Sequence, residues 1–184
     1  MASLYKYGPL TPGLGGQYPS WSGWLHAELL SCCQPLIEAG HLPTDFMRMA
    51  DDALRSLASQ LDNVRPRLLH GDLGDGEIFV DPRSGAVTAL VDWGDALSGD
   101  PLYDFARFVA GGPADDERPA LYLPGVKQSY TRHVGCDPAA LEGKVLALYD
   151  MHNTVRNAAW CVREETPWIE DLCAHALRIV SKLR

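Results

Sequence analysis

Two aspartates, Asp72 and Asp92, have the residue type and the spacing that chemistry on phosphate groups needs. Asp72 lies in a glycine-containing loop, and Asp92 follows the second of two short apolar runs, at 78–80 and 87–91. The proline and glycine between these runs favour a turn, so the runs predict a hairpin with both carboxylates at one end. Magnesium prefers a few such oxygen ligands plus phosphate oxygens. A loop carboxylate can also act as a base toward a substrate hydroxyl, as phosphoryl transfer requires.

Four further acidic residues lie close to this pair in the sequence, and each has more than one reading. Glu77 is in the same loop and offers one more oxygen to a metal ion, with ordinary surface charge as the alternative. Asp100 precedes Pro101, a pair that favours a helix N-cap over a ligand. Asp95 and Asp104 would suit an acidic rim for an amine-bearing substrate, or else a solvated surface or an internal salt bridge.

The remainder of the chain is typical of helices that surround this short β insert. Apolar residues recur at helical spacing after Ser20 and after Thr44, and each of these two residues is placed as an N-cap. A third helix is expected to begin at Asp100-Pro101 and to end before Gly111. The later part of the chain predicts a loop over 113–124 and helices over about 125–134, 138–164 and 167–182.

These elements predict an α+β fold that is mostly helical, with a small β-hairpin carrying the catalytic loop. The chain has 184 residues, of which 46% are hydrophobic, enough for one sizeable core. We expect a single domain over residues 20–184. Residues 1–19 are too rich in glycine and proline for a helix or a strand, so they are expected to form a linker.

Charge and cysteine content limit the classes of partner and compartment. Sixteen basic and twenty-four acidic residues give a net charge of −8, which disfavours nucleic acid or an anionic membrane and favours cationic ligands. The five cysteines include no CxxC pair, so neither a disulfide framework nor a zinc site is indicated. No apolar run reaches the roughly 18 residues that span a bilayer. We expect a cytoplasmic protein without a signal peptide.

Three short motifs resemble those of the aminoglycoside phosphotransferase and choline kinase-like family. In chain order they are His70-Gly71-Asp72-Leu73, Asp92-Trp93, and Gly99-Asp100-Pro101 with Asp104. The order and spacing are close to those of the family, whose fold is protein kinase-like. The resemblance covers nearly all of this chain but only the C-terminal lobe of the family.

The resemblance implies a role for each of these residues. Asp72 would be the catalytic base, and Asp92 would hold the Mg²⁺ that accompanies ATP. His70 would orient the loop by hydrogen bonding. Asp100 and Asp104 would begin a helix that supports the site. The residues that bind the acceptor substrate are not identified by the sequence.

The chain departs from the family in two respects. The family usually places an asparagine five residues after the base as a second metal ligand, where this chain has Glu77. The N-terminal lobe of the family, with its glycine-rich turn and phosphate-contacting lysine, has no counterpart in the sequence before the first helix. A longer parent chain or a separate subunit would have to supply that lobe, or the hinge-side face would be covered by self-association.

Three functions from different classes follow. The first is Mg-ATP-dependent phosphorylation of a hydroxyl on a small molecule, for which a net charge of −8 favours a cationic one. The second is a truncated pseudokinase lobe that acts as a binding module or partner subunit. The third is a repurposed enzyme that uses the acidic metal site or its pocket for chemistry other than phosphoryl transfer.

Overall fold

A computed structural model gives the architecture of the chain. It describes residues 18–74, 76–110, 118–134, 141 and 143–183. Within them the elements follow in the order α1 (Trp21–Glu38), α2 (Phe46–Leu61), β1 (Arg67–Leu69), β2 (Ile78–Val80), β3 (Val87–Leu90), a 3₁₀ turn (Trp93–Asp95), β4 (Leu97–Gly99), α3 (Pro101–Ala110), α4 (Arg118–Val134), α5 (Lys144–Glu164) and α6 (Ile169–Lys182). The mostly helical α+β class is confirmed.

The strands form two separate antiparallel pairs. β2 and β3 make the expected hairpin, in which Ile78 pairs with Leu90. β1 pairs with β4, so that Leu69 lies opposite Leu97. The sequence did not predict this second pair, because two three-residue strands separated by the hairpin carry little local signal. The loop that bears Asp72 therefore runs from the end of β1 to the start of the hairpin.

The core lies where α1, α3 and α5 meet. Trp21 and Trp24 of α1 are fully buried and stacked, with ring centroids 4.6 Å apart. Tyr103 of α3 packs edge-on against Trp21 at 5.4 Å, and Tyr149 of α5 does so at 6.2 Å. Buried aromatic rings in such edge-to-face and stacked arrangements stabilise a core beyond the area they remove from water. The aromatic cluster therefore fixes α3 and α5 relative to α1.

Some predicted helix starts are correct and others are wrong. Ser20 caps α1, since its hydroxyl accepts a hydrogen bond from the Gly23 amide at 3.0 Å. Thr44 does not cap α2. The Phe46 amide donates to the Pro43 carbonyl at 3.0 Å, which closes a turn around Thr44, and the N-cap is Asp45.

The loop predicted over 113–124 is wrong from residue 118 onward, where α4 already begins. Pro119 is compatible with this start, because the amides of the first helical turn have no acceptor within the helix. The helix predicted from 167 begins at Ile169, since the Thr166 amide still bonds to Cys161 at the end of α5. The helix predicted over 138–164 is wrong at its start, since the extended backbone of Gly143 is the N-cap and α5 begins at Lys144. Asp137-Pro138 and linker residues 1–17 lie outside the described residues.

No helix in the described part of the chain is both long enough and apolar enough to cross a membrane. Four cysteines within it are free, namely Cys32, Cys33, Cys161 and Cys173. Burial raises the pKa of the Cys33 thiol to about 12 and that of Cys173 to about 11. The thiols of Cys33 and Cys173 are therefore packing groups rather than reactive nucleophiles.

The packing of β4 against the tryptophan pair gives a test of the core. A Cβ atom at Gly99 would overlap the ring of Trp21. We expect Gly99→Ala to lower the free energy of unfolding by about 1–3 kcal/mol, because the core has to shift to admit the methyl group. Urea denaturation measures this loss.

Gly125→Ala is the matched control. Gly125 lies inside α4 with open space around the position of a Cβ atom. Alanine is the better helix former by up to about 1 kcal/mol, so this variant should be unchanged or more stable. Equal effects of the two substitutions would contradict the proposed contact.

Candidate active site

The loop after β1 is held by a carboxylate from α3. Asp104 accepts hydrogen bonds from the backbone amides of His70 at 2.7 Å and Gly71 at 2.8 Å, one with each carboxylate oxygen. These amides belong to no strand or helix, and a buried amide without an acceptor is costly. Burial raises the pKa of Asp104, and the two amide donors act in the opposite direction. Asp104 therefore ties the loop to the helix that follows β4.

Gly71 has to be glycine for two reasons. Its φ of +83° lies in the left-handed region, and a Cβ atom there would overlap the backbone carbonyl oxygen of Asp95. The Gly71 carbonyl accepts a hydrogen bond from Nη1 of Arg156 at 3.2 Å. The backbone just before Asp72 is therefore held through its amide by α3 and through its carbonyl by α5.

Asp72 extends from this fixed backbone and remains 41% exposed. Nε of Arg107 donates to its Oδ1 at 2.7 Å, and Nη2 of Arg107 donates to the same oxygen. Arg107 was not predicted as a site residue from the sequence. The available signal was its position three residues after Asp104, which places the two side chains on the same face of α3.

His70 connects the loop to the segment that carries Asp92. The side chain is buried, and its Nε2 lies 2.7 Å from the Val91 carbonyl, which can only accept, so Nε2 carries the proton. The His70 ring also packs against Trp93, with ring centroids 4.8 Å apart. Because residues on both sides of Asp92 contact His70, Asp92 lies beside the loop of Asp72. Its carboxylate is exposed, and its backbone is left-handed, with φ of 59°.

Glu77 lies where the hairpin begins. Its carbonyl accepts a hydrogen bond from the Val91 amide at 3.0 Å, and its partly buried side chain folds back toward Gly74. The described residues contain no group of three or more metal-ligating side chains. Magnesium usually keeps several waters and takes one or two carboxylates plus phosphate oxygens, so Asp92 and Glu77 suit it chemically. Metal binding by these two residues stays a prediction.

Asp100 links the start of α3 to the aromatic core. Its Oδ1 accepts from the Leu102 amide at 3.0 Å, as an N-cap does, and its Oδ2 accepts from the Tyr149 hydroxyl at 2.8 Å. That hydroxyl in turn accepts from the Trp21 indole at 2.7 Å. Burial raises the pKa of Asp100, while the two hydrogen bonds favour the ionised form. Asp100 thus fixes the end of α3 that carries Asp104.

Arg156 lies at the centre of a second polar network. Besides the Gly71 carbonyl, its Nη1 bonds to the Tyr103 hydroxyl at 3.1 Å, and its Nη2 lies 3.7 Å from Asp95. Tyr103 and the carboxylates of Asp95 and Glu28 raise the pKa of Arg156 and outweigh its burial. Asp95 therefore forms an internal ion pair, one of the three roles that the sequence left open for it.

The same network includes a buried histidine. The Tyr103 hydroxyl lies 3.0 Å from Nδ1 of His152. Burial, helped by the nearby positive charge of Arg156, lowers the pKa of His152 to about 3. His152 is therefore neutral at physiological pH and accepts the proton of Tyr103.

The motifs and the geometry agree with a family assignment. A model of the phosphotransferase enzyme family matches residues 12–140 of the chain. The chain belongs to the phosphotransferase enzyme family. The resemblance to aminoglycoside phosphotransferases is thereby confirmed.

The following three relatives are longer than this chain. The hygromycin-B 4-O-kinase of Escherichia coli is 28% identical over 116 residues, which cover 58% of this chain and 31% of that kinase. The structure of aminoglycoside phosphotransferase APH(4)-Ia matches with a TM-score of 0.63 at 19% identity, over 97% of this chain and 57% of that one.

A thermostable mutant of APH(4)-Ia in ternary complex with ADP and hygromycin B matches with a TM-score of 0.62 at 20% identity. This match covers 95% of this chain and 56% of that one. At such identities the likeness shows the fold, which is kinase-like. The chain spans less than two thirds of the length of these relatives.

Asp104→Asn tests whether this carboxylate fixes the loop. An amide has only one acceptor oxygen, so one of the two backbone amides loses its partner. We expect the free energy of unfolding to fall by about 1–3 kcal/mol. Amide hydrogen exchange at His70 or Gly71 should accelerate more than at other buried amides.

Asp81→Asn is a control of matched chemistry. Asp81 also accepts two backbone amides, from Arg83 and Ser84 at 2.8 Å each, but both donate to the same oxygen, Oδ1, which asparagine retains, and the turn is exposed. Its cost should be well below that of Asp104→Asn. Equal losses in the free energy of unfolding of the two variants would mean that Asp104 does not fix the buried loop.

The buried histidine predicts how stability changes with pH. The pKa of His152 is about 3 in the folded chain and ordinarily about 6.5, so the unfolded chain binds the extra proton between these values. The folded state should therefore lose about 2 kcal/mol of stability between pH 7 and pH 5 from this residue alone. Urea denaturation at the two pH values measures the loss.

His152→Asn should remove this part of the pH dependence, because an amide oxygen can still accept from Tyr103 but does not titrate. The raised pKa values of Asp100 and Asp104 act with the opposite sign, since their contribution is lost as pH rises above the ordinary aspartate range. Those groups remain in both proteins, so the difference between the proteins isolates His152. An unchanged pH dependence in the variant would show that His152 is not buried and neutral.

Proposed function

We propose that this chain is the phosphoryl-transfer lobe of a kinase that moves the γ-phosphoryl group of Mg-ATP to a hydroxyl of a small molecule. The observation that carries the proposal is the position of Asp72, a partly exposed carboxylate on a backbone that α3 and α5 hold from both sides. Catalysis of phosphoryl transfer is mostly positioning, so a rigid base of this kind is what the reaction needs. Membership of the phosphotransferase family supports the same reaction.

In this proposal Asp72 accepts the proton of the acceptor hydroxyl, and Asp92 and Glu77 are the residues that would hold Mg²⁺. The metal, when bound, would neutralise charge on the phosphate oxygens. His70 keeps the two segments together through Val91 and Trp93, and Asp100 and Asp104 keep α3 against the loop. ATP is supported as the donor by the nucleotide complexes of the structural relatives.

We infer a small, cationic acceptor from the net charge of −8 and from the aminoglycoside bound by the relatives. Hygromycin B is the natural first probe. A screen of hydroxyl-bearing amines then identifies the acceptor. The free buried thiols favour a reducing compartment, and we propose the cytoplasm.

A second candidate function is that of a binding module, which the exposed apolar hairpin favours. Phe79 and Val80 of β2 are more than half exposed, Val87 is 61% exposed, and Leu90 is 41% exposed. Contiguous apolar surface of this kind marks contact sites. We propose that a further lobe, in the same polypeptide or in a partner, or a second copy of the chain covers this hairpin.

Calorimetric titration with Mg-ATP tests the first candidate. The unmodified chain should bind, and Asp92→Asn should weaken binding about tenfold or more, because a charged ligand of the metal is lost. Asparagine is preferred to alanine here, since it tolerates the left-handed backbone at this position. Asp72→Asn should retain nucleotide binding and lose transfer to hygromycin B or another acceptor.

Asp81→Asn, at the far end of the same hairpin, is the control and should bind Mg-ATP as the unmodified chain does. Absence of binding by protein shown to be folded would reject autonomous kinase activity. The binding module would then be the remaining candidate. Equal weakening by Asp92→Asn and Asp81→Asn would reject Asp92 as the metal ligand.

A further inference from the structure

Helix α3 contacts three consecutive residues of the loop through two of its side chains. Asp104 binds the amides of His70 and Gly71, and Arg107, almost one helical turn later, binds the side chain of Asp72. The carboxylate and the guanidinium therefore act on adjacent parts of the same loop. Asp104 fixes the backbone, and Arg107 fixes the functional group.

The contact between Arg107 and Asp72 involves a single carboxylate oxygen. Both Nε and Nη2 of Arg107 donate to Oδ1 of Asp72. Among the described residues, Oδ2 has no hydrogen-bond partner. Rotation of the carboxylate about its bond to Cβ would break both contacts, so the free oxygen is held in one direction.

The surroundings make this ion pair stronger than an ordinary surface pair. The Arg107 side chain is 24% exposed and that of Asp72 is 41% exposed. By contrast, Arg48 and its partners Asp45 and Asp52 on α2 are each more than half exposed. Water screens exposed pairs until they contribute little, whereas partial burial preserves the attraction. Arg107 is thus a fixed neighbour of Asp72.

We propose that Arg107 is a positioning residue that orients Asp72 and leaves Oδ2 to receive the proton of the acceptor hydroxyl. The inference rests on the proposed phosphotransfer. In that step the acceptor O–H bond breaks and its proton passes to Oδ2, while the acceptor oxygen bonds to the γ-phosphorus and the bond from that phosphorus to ADP breaks. The proton leaves Asp72 for solvent after the product departs. Arg107 itself makes and breaks no covalent bond.

The rigid fork of arginine explains why lysine would not be equivalent. Nε and Nη2 are held in one plane and can both reach Oδ1, whereas the single ammonium of lysine gives a point contact on a flexible stem. Arg107→Lys should therefore keep the charge and only part of the orientation. Arg107→Gln removes the charge as well.

The ion pair can be tested without any enzymatic turnover. In ¹H–¹⁵N spectra of the full chain, Nε–H of Arg107 should give a cross-peak that exchanges slowly with water, and Asp72→Asn should shift it and accelerate its exchange. The Nε–H signal of Arg48 should not change in the same variant. A rapidly exchanging Arg107 signal in the unmodified chain would overturn the proposal.

Kinetics then test what the ion pair does. With Mg-ATP as donor and water or hygromycin B as acceptor, we expect Arg107→Gln to lower kcat by about 10- to 100-fold through misplacement of the base. The KM for Mg-ATP should stay within about twofold. The kcat of Arg107→Lys should lie between that of Arg107→Gln and that of the unmodified chain. The kcat of Arg48→Gln, a surface control, should equal that of the unmodified chain.

The possible results separate this inference from the proposed function. An inactive unmodified chain would reject autonomous phosphotransfer, and with it the role of Arg107 in turnover by this chain, whatever the spectra show. An active chain whose kcat survives Arg107→Gln would reject the inference alone. A raised KM with unchanged kcat would show that Arg107 contacts the nucleotide instead and would also overturn it. Thermal unfolding of each variant identifies loss of folding, in which case Arg107→Lys decides.

Discussion

The site depends on one constraint, which is that the loop after β1 buries backbone amides that no strand or helix can satisfy. Asp104 meets this need by accepting two of them. A buried carboxylate is itself unfavourable, as the raised pKa of Asp104 indicates, and the two amide donors offset that cost. The position of α3 is therefore coupled to the conformation of the loop, and neither can change alone.

The position of α3 is set in turn by the core. Asp100 caps the helix and receives the Tyr149 hydroxyl, which is bonded to the buried indole of Trp21. Tyr103 packs between the tryptophan pair and His152, and its hydroxyl meets Arg156, which also holds the Gly71 carbonyl. Because of these contacts, the position of the backbone next to Asp72 depends on how α1 and α5 pack. Buried polar networks of this kind restrict the local geometry.

Local patterns in the sequence predicted the fold class, the hairpin and the Ser20 cap, because each depends on residues within a few positions of one another. The β1–β4 pair was missed, since Leu69 and Leu97 meet only once the hairpin has formed between them. The α4 start was misplaced because proline suggests a loop, although the first helical turn accepts it. Helix boundaries of this kind depend on tertiary context more than on composition.

The motifs identified the residues of the site better than they identified its contacts. Asp72, Asp92, Asp100 and Asp104 could be selected from their order along the chain. Arg107 and Arg156 could not, because an arginine on a helix is usually a solvated side chain. Only the three-dimensional arrangement shows that Arg107 contacts Asp72 and that Arg156 contacts Gly71. The functional assignments of the aspartates and of these two arginines remain predictions, whereas the fold fixes the positions of all of them.

The two sides of the loop that carries Asp72 differ in how far their side chains are packed against the rest of the chain. On the helical side, the described contacts that fix Asp72 come from α3 and α5, so little ordering of this side chain would be required when a ligand binds. On the hairpin side, β3 is exposed along its whole length. Burial of one large apolar side chain contributes about 1.5–3 kcal/mol, so a partner or a further lobe that covered Phe79 and Val87 would gain much of its binding free energy there. Burial of the apolar hairpin, rather than of the loop that carries Asp72, would therefore favour association.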